Sequence, residues 1–196
     1  QIPNTGAMAD KNVRLAAHHA INKEAISRAL FFGRAVPLSV PCTPGTPGYP
    51  ADFSFPFSED RAKELLAASG FNAGNPARFK MLTTNGAFPN DFDIARVIQQ
   101  MWRRVGIEAE LEVIEQAKYF ELNHNGQLPG PCLYSWANST GDPEIYTGYL
   151  LNPDLRFSAW KSEDMRTRMR ALFAETNQET RFQGYRDVAR YAVEQG

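Results

Sequence analysis

The sequence lacks the apolar run that a membrane-spanning helix requires. No stretch of its 196 residues approaches the roughly 20 consecutive apolar residues that cross a bilayer. A strong charge of one sign is lacking too, because 21 Lys and Arg against 22 Asp and Glu give a formal charge of −1. That balance offers no electrostatic attraction for nucleic acid or an anionic membrane, so we expect neither as a partner.

Cysteine and histidine are also scarce. Cys42 and Cys132 are too few for a disulfide framework; they could pair in an oxidising compartment, but we favour two free thiols. His18, His19 and His124 form no HExxH motif, and no CxxC or carboxylate cluster accompanies them. We therefore expect no protein-built metal site and no cofactor.

Catalytic motifs are nearly missing. Residues 158–161 spell SxxK, the nucleophile motif of penicillin-binding enzymes, but the SDN-type and KTG-type elements of that chemistry do not occur. A GxSxG elbow, a Walker loop and a dinucleotide fingerprint are missing as well. The sequence therefore predicts that the protein is not an enzyme.

What remains is the composition of an ordinary globular domain. Hydrophobic residues make up 43% and charged residues 22% of the chain, and its length suits one large domain, 1–196. The first residue is Gln1 rather than Met, and no signal segment follows it. We expect the chain to begin inside a longer parent protein or after a processing site.

The first third of the chain predicts helices around a long loop. Asp10–Phe32 has helical periodicity and divides in two, with Asn22 as the N-cap of the second part. The stretch from Val36 to Phe57 is rich in proline, which predicts a long ordered loop rather than a helix or a central strand. After it, Ser58 caps a helix that Gly70 closes.

Helices and strands alternate along the rest of the chain, which favours an α/β layered domain. In the predicted strand 107–113 the apolar residues alternate with glutamates and are expected to point inward: Ile107, Ala109, Leu111 and Val113. The other predicted elements are, in order, strand Phe79–Thr84, helix Asp91–Val105, helix 116–124, strand Pro131–Trp136, and helices over Ser162–Val193 divided near Asn177.

Four segments resemble one protein family in sequence and in order. Residues 10–26 resemble the D-x-x-V-R-x-A…A-I-D-R-E-x-I helix pair of the family 5 bacterial extracellular solute-binding proteins. Residues 57–70 are similar to their Y-D-P-E-K-A-K-x-L-L-A-E-A-G, and residues 98–107 to their I-Q-x-x-L-x-x-I-G-I. Residues 136–144 are similar to their W-x-x-D-x-x-D-P segment. The four matches together span nearly the whole chain.

The resemblance implies one half of a two-lobed receptor. It predicts a periplasmic binding protein type II-like lobe, with a mixed sheet flanked by helices. It further implies that 1–196 is the C-terminal lobe, with the first lobe and the final C-terminal strands absent. The expected role is the substrate-binding component of an ABC importer, which captures a peptide or related small solute between its lobes and delivers it to the membrane permease. Such a parent is a secreted or lipid-anchored monomer, periplasmic or in the cell envelope.

The resemblance also implies where ligand contacts lie. In peptide-binding relatives an Asp three residues after the tryptophan pairs with the α-amino group of the ligand, and here that position is Ser139. A hydroxyl cannot neutralise an ammonium, so an ordinary free-amine peptide is placed in doubt. Asp142 is a nearby substitute, although we favour a role as cap of the helix that Pro143 begins. Trp136 is either a flat cleft wall or a core residue.

Three further residues complete the expected ligand-binding set. Tyr134 and Asn138 flank the tryptophan. Arg34 lies near the cleft mouth in relatives and suits a ligand carboxylate, although a solvated arginine is the more ordinary interpretation. Trp160 is expected to pack structurally. The resemblance leaves the ligand open among peptides, glutathione, nickel chelates, opines and sugars.

One alternative function stays open at this point. A sensor or chaperone-like module can reuse the same fold without transport, because a fold does not fix a function. Neighbouring permease and ATPase genes would separate the two hypotheses in favour of import.

Overall fold

The computed structural model describes residues 5–156, 158 and 161–196. A short 3₁₀ helix, Gly6–Ala9, opens this part of the chain, and a π-helical turn, Glu144–Gly148, lies in its second half. The remaining elements are, in order, α1 Lys11–His19, α2 Lys23–Phe31, α3 Glu59–Ala68, β1 Ala77–Thr83, α4 Asp91–Val105, β2 Ile107–Val113, α5 Gln116–His124, α6 Tyr149–Leu151, α7 Glu163–Ala174 and α8 Gln178–Gln195.

Side-chain caps set the starts of the helices. Asp10 Oδ1 accepts from the Asn12 amide at 2.7 Å, and Asn22 Oδ1 accepts from the Ala25 amide at 2.9 Å, so the predicted division of this helix is confirmed. The Oγ of Ser58 caps α3 in the same way. Each cap satisfies a backbone N–H that the first turn of a helix leaves free.

The two C-terminal helices also begin at side-chain caps. Ser162 Oγ accepts from the Met165 amide at 3.3 Å and begins α7, whereas Asn177 Oδ1 accepts from the Thr180 amide at 3.0 Å and begins α8. The predicted division near Asn177 is confirmed. Trp160, expected to pack structurally, lies outside the described residues.

A parallel pair of strands forms the sheet. β1 pairs with β2 in a register that runs from Ala77 opposite Ile107 to Thr83 opposite Val113, and α4 connects the two strands. The α/β class is confirmed, and the observed strands lie within two residues of the predicted ones. The sheet is simpler than the expected mixed sheet, because its pairings among the described residues are parallel.

One face of this sheet packs on helices and the other is charged. Trp102 on α4 links the packed layers, since its ring meets Phe79 edge-on at 5.4 Å and its Nε1 donates to the Ala17 carbonyl at 2.9 Å. Across the charged face, Lys80 Nζ lies 3.0 Å from a Glu112 carboxylate oxygen. This alternation is the period-two pattern of a half-buried strand.

The prediction for Val113 is wrong. Ile107 and Ala109 are buried as expected, and Leu111 is half-buried, but Val113 is 49% exposed. Val113 is the last residue of β2, and about half of its surface remains in solvent there. Alternation alone does not report how far along a strand the neighbouring layer reaches.

The predicted strand Pro131–Trp136 is also wrong. It is reduced to one parallel bridge, in which the Leu82 amide donates to the Pro131 carbonyl and the Leu133 amide donates to the Leu82 carbonyl. Because β1 ends at Thr83, a chain running parallel to it from residue 132 passes beyond its partner after two residues. Residues 131–136 have a strand-like apolar pattern, but β1 ends too early to pair with all of them.

The proline-rich stretch is a long ordered loop, as predicted. Its residues Val40 and Cys42 are buried against Ala189 and Val193 of α8. Phe55 stacks near His19 with ring centroids 4.3 Å apart. The loop is therefore held by its own apolar side chains. Cys42 and Cys132 are both buried, and no disulfide joins them.

Arg14 joins the first helix to the end of the last one. Arg14 as a whole is only 8% exposed, and its guanidinium donates to four carbonyl groups at distances of 2.7 to 3.1 Å. The acceptors are Met8, Ala9, Gln195 and Gly196. A buried charge is tolerated here because the carbonyl dipoles replace the water that it loses.

We expect Arg14→Met to lower the free energy of unfolding by about 2 to 4 kcal/mol, because it leaves buried carbonyls without donors. Lys11→Met is the matched control, since Lys11 makes one exposed hydrogen bond to Gln195 on the same helix pair. We expect that control to change stability by less than about 0.5 kcal/mol. Urea unfolding measures both, and equal effects would contradict the role assigned to Arg14.

Candidate functional site

The carboxyl ends of the strands meet at one edge of the sheet. β1, β2 and the bridging residue Cys132 all run in the same direction, so the segments that follow them leave from the same side. These segments are residues 84–90, 114–115 and 134–142. Open α/β sheets bind ligands at this edge, because loops from neighbouring strands converge there. We take this edge as the candidate site.

Aromatic rings form a row of contacts at the candidate site, and one of them, Tyr119, is buried. Tyr134 stacks on Tyr119 with centroids 4.0 Å apart and planes 14° from parallel, and its ring lies 6.4 Å from that of Trp136. Trp136 in turn stacks on Tyr149 at 5.2 Å. Phe120 extends the row, with its ring edge-on to Tyr134. We call Phe120, Tyr119, Tyr134, Trp136 and Tyr149 the aromatic row.

Trp136 is fixed in place but not fully covered. Its Nε1 donates to the Ile145 carbonyl at 3.0 Å, and its side chain is half-buried. The hydrogen bond and the stacking on Tyr149 fix the plane of the indole, which is what a flat binding wall requires. Burial raises the pKa of Tyr134 and of Tyr119, so both hydroxyls are neutral near pH 7.

Asn138 organises the turn after the tryptophan. Its Oδ1 accepts from the amides of Thr140 at 3.1 Å and Gly141 at 2.8 Å, and its Nδ2 donates to the Asp142 carbonyl at 2.9 Å. All these bonds stay within the turn, which is the local side-chain pairing typical of asparagine. Ser139 is left exposed at the tip.

Asp142 is engaged within the chain. Its two carboxylate oxygens accept from the two terminal nitrogens of Arg181, each at 2.8 Å, and Oδ1 also accepts from the Glu144 amide at 2.9 Å. The hydrogen bond from Arg181 lowers the pKa of Asp142 below its ordinary value. The capping interaction expected for Asp142 is therefore present, with an ion pair to α8 added to it.

Arg34 is exposed on the loop after α2. The hydrogen bonds of the described residues do not connect it with the turn 138–142. The ends of α2 and of the β1 loop are nevertheless joined, because Asn90 Nδ2 donates to the Leu30 carbonyl at 3.0 Å. The structure thus brings Tyr134, Trp136 and the Asn138 turn together and leaves Arg34 on a separate loop.

Asp91 is a residue of this edge whose role the sequence did not reveal. Its carboxylate is 3% exposed and holds the loop after β1, accepting from Thr84 Oγ1, the Gly86 amide and the Ala87 amide, each at 2.9 Å. A cavity of about 560 Å³ opens in the same loop, between Asn85 and Asp93. The available signal was an Asp at a helix start shortly after a glycine, which we interpreted only as a helix boundary.

The electrostatics of Asp91 reflect two opposed causes. Burial alone would raise the pKa of its carboxyl, but the hydrogen bonds from Gly86, Thr84, Phe92 and Ala87 outweigh burial and lower the pKa to about 2. The loop is therefore built around an anion that stays charged throughout the ordinary pH range.

Another cavity borders the bridge segment around Cys132. It encloses about 450 Å³ between α1, the proline-rich loop and the end of α8, and its walls are mostly apolar. None of the predicted site residues lines it. Burial lowers the pKa of His18, which borders it, to about 4. Among the described residues no cluster of His, Cys, Asp and Glu suits a metal ion, and no helix has the length and apolarity to cross a bilayer.

We expect Asp91→Asn to lower the free energy of unfolding by about 2 kcal/mol at pH 7, since the carboxylate is more acidic when folded. A lowered pKa stabilises the fold above about pH 4, and this stabilisation is lost as the pH falls toward about 2. The gap between wild type and variant should therefore shrink over that interval in urea unfolding. Asp93→Asn, at an exposed position of the same helix, is the control; a gap independent of pH would contradict the assignment.

Comparison with known proteins places the chain in a family. The profile described as "Bacterial extracellular solute-binding proteins, family 5 Middle" matches residues 3–155. Heme-binding protein A of Haemophilus influenzae is 27% identical over 141 residues, which are 71% of this chain and 26% of that protein. The dipeptide-binding protein of Escherichia coli is 27% identical over 145 residues, 73% of this chain and 27% of that protein. The matched part is thus about a quarter of each relative.

Solved structures share the fold. NikA of Staphylococcus aureus, in complex with Ni(L-His)2, superposes with a TM-score of 0.87 at 19% identity, covering 100% of this chain and 42% of that one. HbpA2 of Haemophilus parasuis superposes with a TM-score of 0.86 at 23% identity, covering 98% of this chain and 39% of that one. The expected lobe of a periplasmic binding protein is confirmed as the fold. The chain belongs to family 5 of the bacterial extracellular solute-binding proteins.

Proposed function

We propose that the protein containing this chain is the substrate-binding component of an ABC importer. The observation that carries the proposal is the aromatic row with its fixed, half-buried Trp136 at the carboxyl edge of the sheet. Support comes from curated relatives, which are named for binding dipeptides, heme and nickel. The solute would be a peptide or a related small molecule.

The chain would be one lobe of a two-lobed receptor, with 1–196 as the C-terminal lobe. Two observations support this division. The chain superposes over 98% to 100% of its length on the structural relatives described above, and it accounts for only 39% to 42% of them. The remainder of such a protein supplies the opposite wall of the cleft. Closure of the two lobes on the ligand is then the working step.

Closure would make the ligand-bound receptor distinguishable from the empty one. A ligand that touches both lobes only in the closed form binds that form more tightly, and it shifts the population by its differential affinity. The closed form would then present a joint surface to the permease subunits. No bond of the solute is made or broken in this scheme, and we propose neither an enzymatic step nor a cofactor. The parent would act as a monomer, in the periplasm or the cell envelope, without nucleic acid.

The candidate contacts differ in character. Trp136 and Tyr134 offer flat apolar surface, and Ser139 offers an exposed hydroxyl at the tip of the Asn138 turn. Asn138 acts by holding that turn. Arg34 would bind a ligand carboxylate through its planar fork.

Charge at the site argues against a simple amine anchor. Asp142 already shares both carboxylate oxygens with Arg181, so pairing it with a ligand ammonium would break a bidentate ion pair. Ser139 supplies a hydrogen bond but no charge. We therefore propose that aromatic stacking and hydrogen bonding, rather than an ion pair to an α-amino group, dominate recognition on this lobe.

In the full-length protein, we expect Trp136→Ala to weaken ligand affinity about tenfold or more, because a rigid aromatic wall is lost. Ser139→Ala should change affinity by about twofold or less, since one exposed hydrogen bond to a neutral partner contributes little net free energy. Calorimetry with the solute that copurifies with the protein, identified by native mass spectrometry, gives both values. The reverse ranking would make Ser139 the polar anchor.

Trp136→Phe is the control for packing. It keeps an aromatic face but loses the hydrogen bond to Ile145, so a wall role predicts an affinity between those of wild type and Trp136→Ala. Thermal unfolding of each variant separates lost affinity from lost folding. A Phe variant as weak as the Ala variant, with unchanged stability, would contradict the stacking role.

The isolated chain should bind peptides poorly, because it carries only one wall of the proposed composite site. We expect titration with a panel of di- and tripeptides to give a Kd weaker than about 1 μM, if heat is detected at all. The full-length protein under the same conditions is the control. Micromolar or tighter binding by the 196-residue chain would contradict the two-lobe proposal.

A further inference from the structure

One arginine outside the candidate site holds the segment that follows Trp136. Arg181, near the start of α8, donates from both terminal nitrogens to the carboxylate of Asp142, each at 2.8 Å. The Arg181 side chain is only 22% exposed, so this bidentate pair is partly shielded from water. Pairing through two parallel hydrogen bonds fixes the orientation of the carboxylate as well as its distance.

Arg181 is itself held by the packing of the two C-terminal helices. Its guanidinium lies over the ring of Tyr185, 4.9 Å from the centroid, and Tyr185 is fully buried among apolar side chains of α7 and α8. A Cβ added at Gly148 would lie 3.3 Å from the Tyr185 hydroxyl, so the π-helical turn packs closely against the same tyrosine. Arg181 therefore connects a packed core with a turn of the candidate site.

Asp142 is bonded to the residues on both sides of it. Its Oδ1 accepts from the Glu144 amide at 2.9 Å, which caps the π-helical turn. Its backbone carbonyl accepts from Asn138 Nδ2 at 2.9 Å and from the Ile145 amide at 3.3 Å. The position of Asp142 thus determines where the Asn138 turn ends and where the π-helical turn begins.

Both supports of the Trp136 indole come from this segment. The Ile145 carbonyl accepts from Trp136 Nε1 at 3.0 Å, and Tyr149, on which the indole stacks, directly follows the π-helical turn. A continuous series of contacts therefore runs from Arg181 through Asp142 and Ile145 to the indole. The hydrogen bond from Trp136 to Ile145 spans nine positions, whereas the pair with Arg181 spans 39 and ties the segment to α8.

We propose that Arg181 is a positioning residue of the ligand site, which acts through Asp142 to fix the turn that sets the plane of the Trp136 indole. This inference rests on the proposed function, because it takes Trp136 as a wall of the site. Arg181 does not touch the ligand. Its loss leaves the indole present but free to tilt, so ligand affinity falls while the fold persists.

The first test follows two indole N–H groups by NMR in the full-length protein with isotopically labelled tryptophan. That of Trp136 donates to the Ile145 carbonyl, and that of Trp102 donates to the Ala17 carbonyl in the core. We expect Arg181→Met to speed the exchange of the Trp136 indole hydrogen with solvent about tenfold, because the turn that holds it opens more often. The exchange of the Trp102 indole should not change, which makes it a control for global unfolding in the same sample.

The second test is ligand affinity, measured by calorimetry with the copurifying solute. Arg181→Met should weaken binding about threefold to tenfold, less than Trp136→Ala, because the wall is displaced rather than deleted. Arg181→Lys keeps the charge without the two-point geometry, so it should restore only part of the loss. Asp142→Asn should match Arg181→Met, and the double variant should bind no more weakly than either single variant, because both break the same link.

Arg166→Met is the matched control. The Arg166 side chain, on α7, is also 22% exposed, and it too forms an ion pair with an aspartate, Asp154. Its side-chain hydrogen bonds go to Asp154 and Glu163. This variant should therefore keep the wild-type affinity and the wild-type exchange of the Trp136 indole.

The outcomes that overturn the inference are distinct from one another. Unchanged affinity and exchange in Arg181→Met would do so, and so would lower affinity with unchanged exchange at Trp136. Faster exchange of both indoles would make Arg181 a folding residue only, and additive losses in the double variant would show that Asp142 is not the link. Each of these results leaves the proposed function intact. A full-length protein that binds no solute would overturn the proposed function together with the role of Arg181 in binding, whatever the exchange rates.

Discussion

The parallel pairing of β1 with β2 is the constraint on which the rest of the structure depends. Once α4 returns the chain so that Ala77 lies opposite Ile107, one face of the sheet must be covered by helices, and Trp102 fills that layer. The same direction of travel brings the ends of both strands to one edge. The loop around Asp91 and the segment that carries Tyr134, Trp136 and the Asn138 turn leave the sheet at the same edge because of that pairing, although they are more than 40 residues apart in sequence.

Local signals predicted the helices well and the sheet less well. Asn22, Ser58, Ser162 and Asn177 each accept a hydrogen bond from the amide three residues ahead, so the signal for a helix start lies within one turn of sequence. A strand needs a partner elsewhere in the chain. Residues 131–136 have a strand-like pattern, yet their partner β1 ends after one bridge, and no local pattern records where another strand stops.

In the candidate site, too, the local interactions were predictable from the sequence and the long-range ones were not. Capping by Asp142 was predictable from the Asp-Pro pair, whereas its ion pair with Arg181 spans 39 positions and was not. The family resemblance placed Trp136 and Ser139, but the stacking of Tyr134 on Tyr119 depends on α5 packing beside the bridge. Asp91 was missed because its partners are mostly backbone amides, which carry no sequence signal at all.

The carboxylates of Asp91 and Asp142 are engaged within the chain, whereas the ring of Phe32 is exposed to solvent. The carboxylate of Asp91 accepts from loop amides, and that of Asp142 pairs with Arg181. Neither carboxylate is therefore free to pair with a cationic group of a solute. Phe32 shows the opposite arrangement, because its ring is 89% exposed at the end of α2. The loops at this edge are thus held by charges that are engaged within the chain, whereas Trp136 and Tyr134 keep part of their aromatic surface exposed. In the two-lobed receptor proposed above, such preorganisation would leave closure, rather than rearrangement within this chain, as the motion that ligand binding drives.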